Sequence, residues 1–198
     1  AALSALAVRN DGVLHEDGVV QIGVKMEFQA HQGRLALFFG NKAAAPLNNV
    51  STSFSPQPAL QLQPGPLAAT IGPRQQQSQV ILVQCGGGYA DPPQVKVSFD
   101  GPAGPTQLIL PLPLPPTKFN SPLQVSGADF FAKWKGYDGH ETQVVFKLTA
   151  VPLAEPTVEK AMAGGLGFAV LKGVDPNTAN FVDEGKLERE NGADGTAD

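Results

Sequence analysis

Val20, Ile22, Val24, Met26 and Phe28 alternate with more polar neighbours in "VVQIGVKMEF", the period-two signature of a half-buried strand. "QAHQGR" then turns the chain and "LALFFG" offers a return strand, which together read as a hairpin. Val50, Thr52 and Phe54 continue the alternation. After a Pro/Gly-rich stretch, "QVILVQC" and "QVKVSFD" give two more strands around "GGGYADPP". Leu108, Leu110, Leu112 and Leu114 alternate in "TQLILPLPLPP" until the prolines end it. Short strands in succession, with turn signals between them, predict an immunoglobulin-like antiparallel β-sandwich over residues 13–117. No helical period of useful length precedes residue 120, so residues 1–12 read as a linker or hinge remnant.

The pattern changes near residues 115–119. Ser126 is placed to cap a helix, with Asp129 three positions on completing a capping box and Gly136 at its end. That helix carries Phe130, Phe131 and Trp134, which at i, i+1 and i+4 fall on adjoining parts of its surface. Such a cluster is either the buried face of a short helix or an aromatic surface that grips something. "ETQVVFKL" is ambiguous between strand and helix, "EPTVEKAMAGG" reads as a helix with Pro156 in its first turn, "LGFAVLKGV" as a strand and "DPNTANF" as a loop. Residues 118–182 are therefore expected to form a smaller, incomplete α+β subdomain. The polar stretch 183–198 has no apolar face and reads as a disordered tail.

Composition narrows the function classes. The 22 glycines and 18 prolines suit a fold of many short strands and tight turns. The net charge of −4 is carried wholly by residues 183–198, with six acidic and two basic side chains. The rest is neutral and has no basic stripe, so nucleic acid is not an expected partner. No stretch approaches the roughly 20 apolar residues of a membrane span, and direct membrane insertion is not expected either. Cys85 is alone, which precludes an internal disulfide. His15, His31 and His140 are scattered, and neither a zinc cluster, a calcium loop nor a nucleophile elbow can be found. The glycines of "GGLGFAV" precede a strand instead of following one, unlike a dinucleotide fingerprint. No enzyme activity, metal or cofactor is expected. "PLPPTK" has polyproline-ligand spacing, but the leucines before it commit the segment to a strand end.

Four segments in order and register, "QIGVKMEF", "GRLALFFGNKAAAPL", "TKFNSPLQVSGADFFAKWK" and "VDPNTANFV", resemble the appendage (ear) domain of the alpha-adaptin family of clathrin adaptors over residues 13–182. The resemblance implies a β-sandwich followed by a platform. It implies a non-enzymatic module that recruits endocytic accessory proteins through short motifs rich in Phe, Trp and Asp-Pro. The setting would be the cytosolic face of the plasma membrane at clathrin-coated pits, with other AP-2 subunits and the clathrin coat reached through the rest of the parent chain. By the same resemblance the platform site would centre on Trp134, Phe131 and Phe130. A second site on the sandwich would lie around Phe38, Phe39, Asn41 and Lys42. The family platform continues past the "DPNxxNFV" loop, whereas "DEGKLERENGADGTAD" is expected to fall outside its pattern. The rival readings are a structural remnant whose shortened platform no longer binds, or an appendage from another coat subunit.

Overall fold

Ten-residue strands, alternately buried and exposed, fix the layout of the first unit. The computed structural model describes residues 2–136, 155–177 and 180–189. Strand β1 (Asp11–Glu16), β2 (Val20–Gln29), β3 (Gln32–Asn41), β5 (Leu60–Pro64) and β6 (Gln76–Cys85) form a sheet in the order β1-β2-β3-β6-β5. A second sheet, β4-β7-β8, is built from Asn48–Phe54, Gln94–Gly101 and Gly104–Pro111. The pairings between these neighbours are antiparallel. Val20, Ile22, Val24 and Met26 of β2 turn inward, as do Leu35, Leu37 and Phe39 of β3. They meet Val95, Val97 and Phe99 of the other sheet in one hydrophobic cluster, and this two-sheet burial is what holds a sandwich. Leu112 and Leu114 are also fully buried, which extends the leucine alternation past the end of β8.

Two buried polar side chains are fully employed. The Asn41 amide donates to Ala45 O at 2.8 Å, Gly72 O at 3.0 Å and Ile71 O at 3.1 Å, while its carbonyl accepts from the Ala43 N–H. Gln79 accepts from Thr52 Oγ1 at 2.8 Å and donates to Gly65 O at 2.9 Å, stitching the two sheets together. Met26 N donates to Asn10 O. Lys118 stands in a short 3-10 helix, Pro116–Phe119, and its Nζ donates to Arg9 O at 2.7 Å and Asn10 Oδ1 at 2.9 Å.

The start of the chain differs from expectation. Ala2–Ala7 is a helix, α1, with Leu6 only 3 % exposed, and Asp11 and Gly12 already belong to β1. Six residues are too few to display a period, so the helix rests on docking Leu6 over Gly12, where a side chain would meet it at 3.0 Å.

The second unit runs from Asn120 to Lys186, and the chain from Leu187 returns to the first. There Leu187 packs on the sandwich core and Glu188 N donates to Phe119 O at 3.0 Å. Helices α2 (Gly127–Gly136) and α3 (Glu155–Leu166) accompany a three-stranded sheet, β10-β11-β9, of Ala169–Val170, Asp183–Leu187 and Asn120–Pro122. Asp183–Leu187, which by composition should open the disordered tail, is instead the central strand of this sheet. Its neighbours on both sides supply the hydrogen bonds that its composition would not attract by itself. "ETQVVFKL", His140 and tail residues 190–198 lie outside the described residues.

Candidate functional site

Ser126 starts the helix that presents the aromatic cluster. Its Oγ accepts from the Asp129 N–H at 3.1 Å and its hydroxyl donates to Asp129 Oδ2 at 2.6 Å, a reciprocal cap. No residue of α2 is buried. Phe131 is 49 % exposed and Trp134 53 %, with Phe130 between them. Phe130 stacks on Trp134 at a centroid distance of 5.7 Å and meets Phe131 edge-on at 5.6 Å. The three rings are thus not a core face but a pre-packed surface. Rings already held in contact lose less freedom when they receive a partner.

The rings form one wall of an open groove of about 340 Å³, whose other wall is Val174, Pro176, Phe181 and Val182. Two carboxylates complete the lining. Asp175 is engaged locally: Oδ2 accepts from Asn180 Nδ2 at 2.9 Å and Oδ1 from the Asn177 N–H at 2.7 Å, which together hold its carboxyl below the usual carboxylate range. Asp183 is the opposite case, with burial pushing its carboxyl up and Oδ1 without a hydrogen-bond partner among the described residues. Lys133 Nζ reaches Glu184 Oε1 at 2.8 Å, tying α2 to β11. Lys172 Nζ stands 3.0 Å from both Glu155 and Glu159.

The four residues grouped on the sandwich do not share a surface. Phe39 is 1 % exposed in the core, and Asn41, 3 % exposed, is spent on backbone groups as described. Only Phe38 and Lys42 reach solvent, both partly, and Lys42 Nζ is paired with Glu16 Oε1 at 2.7 Å. The opposite wall of the aromatic groove is a feature that sequence reasoning misses. Its signal lies in the "VDPNTANFV" segment, where Asp175 and Asn180 brace the turn that carries Val174 and Phe181. Among the described residues no group of three His, Cys, Asp or Glu side chains could hold a metal ion. Nor is any described helix long and apolar enough to cross a membrane.

Comparison with known proteins accounts for both units. A family model described as the adaptin C-terminal domain matches residues 10–113, and one described as the alpha adaptin AP2 C-terminal domain matches residues 118–196. The second match runs through the stretch after Val182, against the expectation that this stretch falls outside the family pattern. The chain is 38 % identical over 184 residues to AP-2 complex subunit alpha-2 of Dictyostelium discoideum, covering 92 % of this chain and 18 % of that protein. It is 33 % identical over 179 residues to AP-2 complex subunit alpha-1 of Arabidopsis thaliana, covering 90 % of this chain and 18 % of the relative. It therefore spans less than a fifth of the length of these curated relatives. Among solved structures, the GAE domain of GGA2p from Saccharomyces cerevisiae aligns at 15 % identity and a TM-score of 0.47, over 53 % of this chain and 96 % of that one.

Proposed function

We propose that this chain, which belongs to the alpha-adaptin C-terminal family of clathrin-adaptor appendages, recruits endocytic accessory proteins by taking the aromatic residues of short Phe-, Trp- and Asp-Pro-containing motifs into the groove over Phe130, Phe131 and Trp134. The family is one of adaptors, not of enzymes. The observation that carries the proposal is the pair of large, half-exposed rings on a helix with no buried residue, facing an apolar wall. Clustered exposed apolar surface of this kind marks interaction sites.

Magnitudes set the mode of action. One inserted ring buries roughly 150–250 Å², worth about 4–6 kcal/mol gross. Ordering a disordered peptide costs about 2–5 kcal/mol of that. Individual motifs then bind at micromolar strength or weaker, and useful capture comes from several motifs acting at once. The setting that follows is the cytosolic face of the plasma membrane at clathrin-coated pits. There the remainder of the parent chain would supply contacts to other AP-2 subunits and to the coat.

Trp134 is the only tryptophan, so its fluorescence reports the groove directly. Titration with a peptide carrying two phenylalanines around an Asp-Pro step is expected to give a saturable change that Phe131→Ala abolishes. An emission unmoved by any such peptide would leave the chain as a folded appendage whose platform binds nothing of this class. A weaker second contact on the sandwich would rest on Phe38 and Lys42, and Phe38→Ala should then lower affinity only for peptides carrying a second motif.

A further inference from the structure

The aromatic groove is apolar on both walls, and the only charged residues lining it among those described are Asp175 and Asp183. We propose, resting on the reading that this groove holds an aromatic anchor, that it selects peptides with a basic residue beside the anchor ring and discriminates against those with a carboxylate there. Three observations carry this. Asp175 has both oxygens occupied by Asn177 and Asn180, so it contributes fixed negative charge and no free acceptor. Asp183 keeps Oδ1 without a partner among the described residues, and an acceptor in that state gains most from a donor brought by a ligand. The cations close to the site in sequence are already committed. Lys133 is held at 2.8 Å by Glu184, and Lys172 at 3.0 Å by two glutamates. Lys135 stands exposed on α2 without lining the groove. A ligand carboxylate entering here would meet two carboxylates and no lining cation, whereas a lysine or arginine would meet complementary charge at a partly desolvated position. Charge arrangement of this kind sets which partners are rejected as much as which are held.

The test uses the whole chain and three peptides identical except for the residue beside one phenylalanine, which is Lys, Asn or Asp. Binding is read from Trp134 emission. The Lys peptide is expected to bind about tenfold tighter than the Asp peptide at low ionic strength, with Asn between them, and the gap should shrink as salt screens it. Asp183→Asn should narrow the gap. The salt series on the unsubstituted chain serves independently should that variant fold poorly. If the peptides bind with a Phe131-dependent signal but Asp matches or exceeds Lys, the selectivity is wrong and the aromatic site stands. A gap that persists in Asp183→Asn and ignores salt also overturns it. If no peptide alters Trp134 emission, the aromatic site itself falls and this inference with it.

Discussion

Phe39 and Phe131 show how differently one residue type can be spent in this chain. Phe39 lies wholly within the sandwich core, so Phe39→Ala should destabilise the first unit by about 3–5 kcal/mol in denaturant melts. Phe131 is half in solvent, and Phe131→Ala should change stability by no more than about 0.5 kcal/mol while removing the peptide response. The sequence holds the sign of this contrast. Leu35, Leu37, Phe39 and Asn41 share strand parity and all point inward, while Phe38 points out, because successive side chains of a strand alternate. Grouping Phe38, Phe39, Asn41 and Lys42 as one surface ignores that parity. The trio on α2 is legible because helical spacing places it together whichever way the helix faces. Lys118 has the most informative titration. It is buried with only Arg9 O and Asn10 Oδ1 as acceptors, and burial lowers its pKa from 10.5 to about 8. Between these values the unfolded chain keeps a proton that the folded chain has released, so stability should rise with pH from about 8 toward 10. Tyr89, whose hydroxyl donates to Leu114 O at 2.7 Å, has its pKa raised by burial. The unfolded phenol therefore ionises first, and stability should turn down above about pH 10. Lys118→Met should flatten the rise and leave the downturn, as urea midpoints measured across this range would reveal.

At the scale of elements, pairing decides what pattern alone does not. Strands β2, β3, β6 and β7 alternate cleanly because one face is core and the other solvent, and they are readable. Strand β5 hides inside a Pro/Gly-rich stretch, although Leu60 and Leu62 alternate there and pair with Cys85 and Val83. Strand β11 carries "DEGKL", and nothing in those five residues announces a strand. Its place in the centre of the second sheet comes from β10 and β9 on its two flanks. The turn at Gly167 sets up that arrangement: its φ is +70°, and a Cβ there would lie 2.6 Å from Asn120 O, a backbone atom of β9. Gly173 has a similar φ of +71°, but a Cβ added there would meet nothing within 4 Å. Gly173→Ala should therefore cost only the left-handed backbone penalty of about 1–2 kcal/mol. Gly167→Ala adds a backbone collision and should cost clearly more. Hydrogen exchange in β9 and β11 separates the two, and equal protection in both variants would contradict the collision.

For the molecule as a whole, burial is divided unequally between two units. Every member of the large core cluster belongs to the first unit. In the second, Ala169 and Leu171 are the buried hydrophobic residues among those described, and neither α2 nor α3 buries a side chain. The strands β9 and β10 hold three and two residues, too short to be stable without tertiary support. Since buried apolar area is the main favourable contribution to folding, the second unit should open at lower denaturant than the sandwich. Recognition would then rest on the weaker unit, with its rings held ready on a helix that the core does not need. The chain carries its own reporter for this, because Trp134 lies in the second unit while most of the strand signal in far-ultraviolet circular dichroism comes from the first. The tryptophan transition is expected to precede the loss of β signal. A saturating motif peptide should move only the tryptophan midpoint upward, since a ligand stabilises the unit that binds it. Superimposed transitions that both shift with peptide would mean instead that the two units fold as one cooperative body, with the sandwich core lending its stability to the groove.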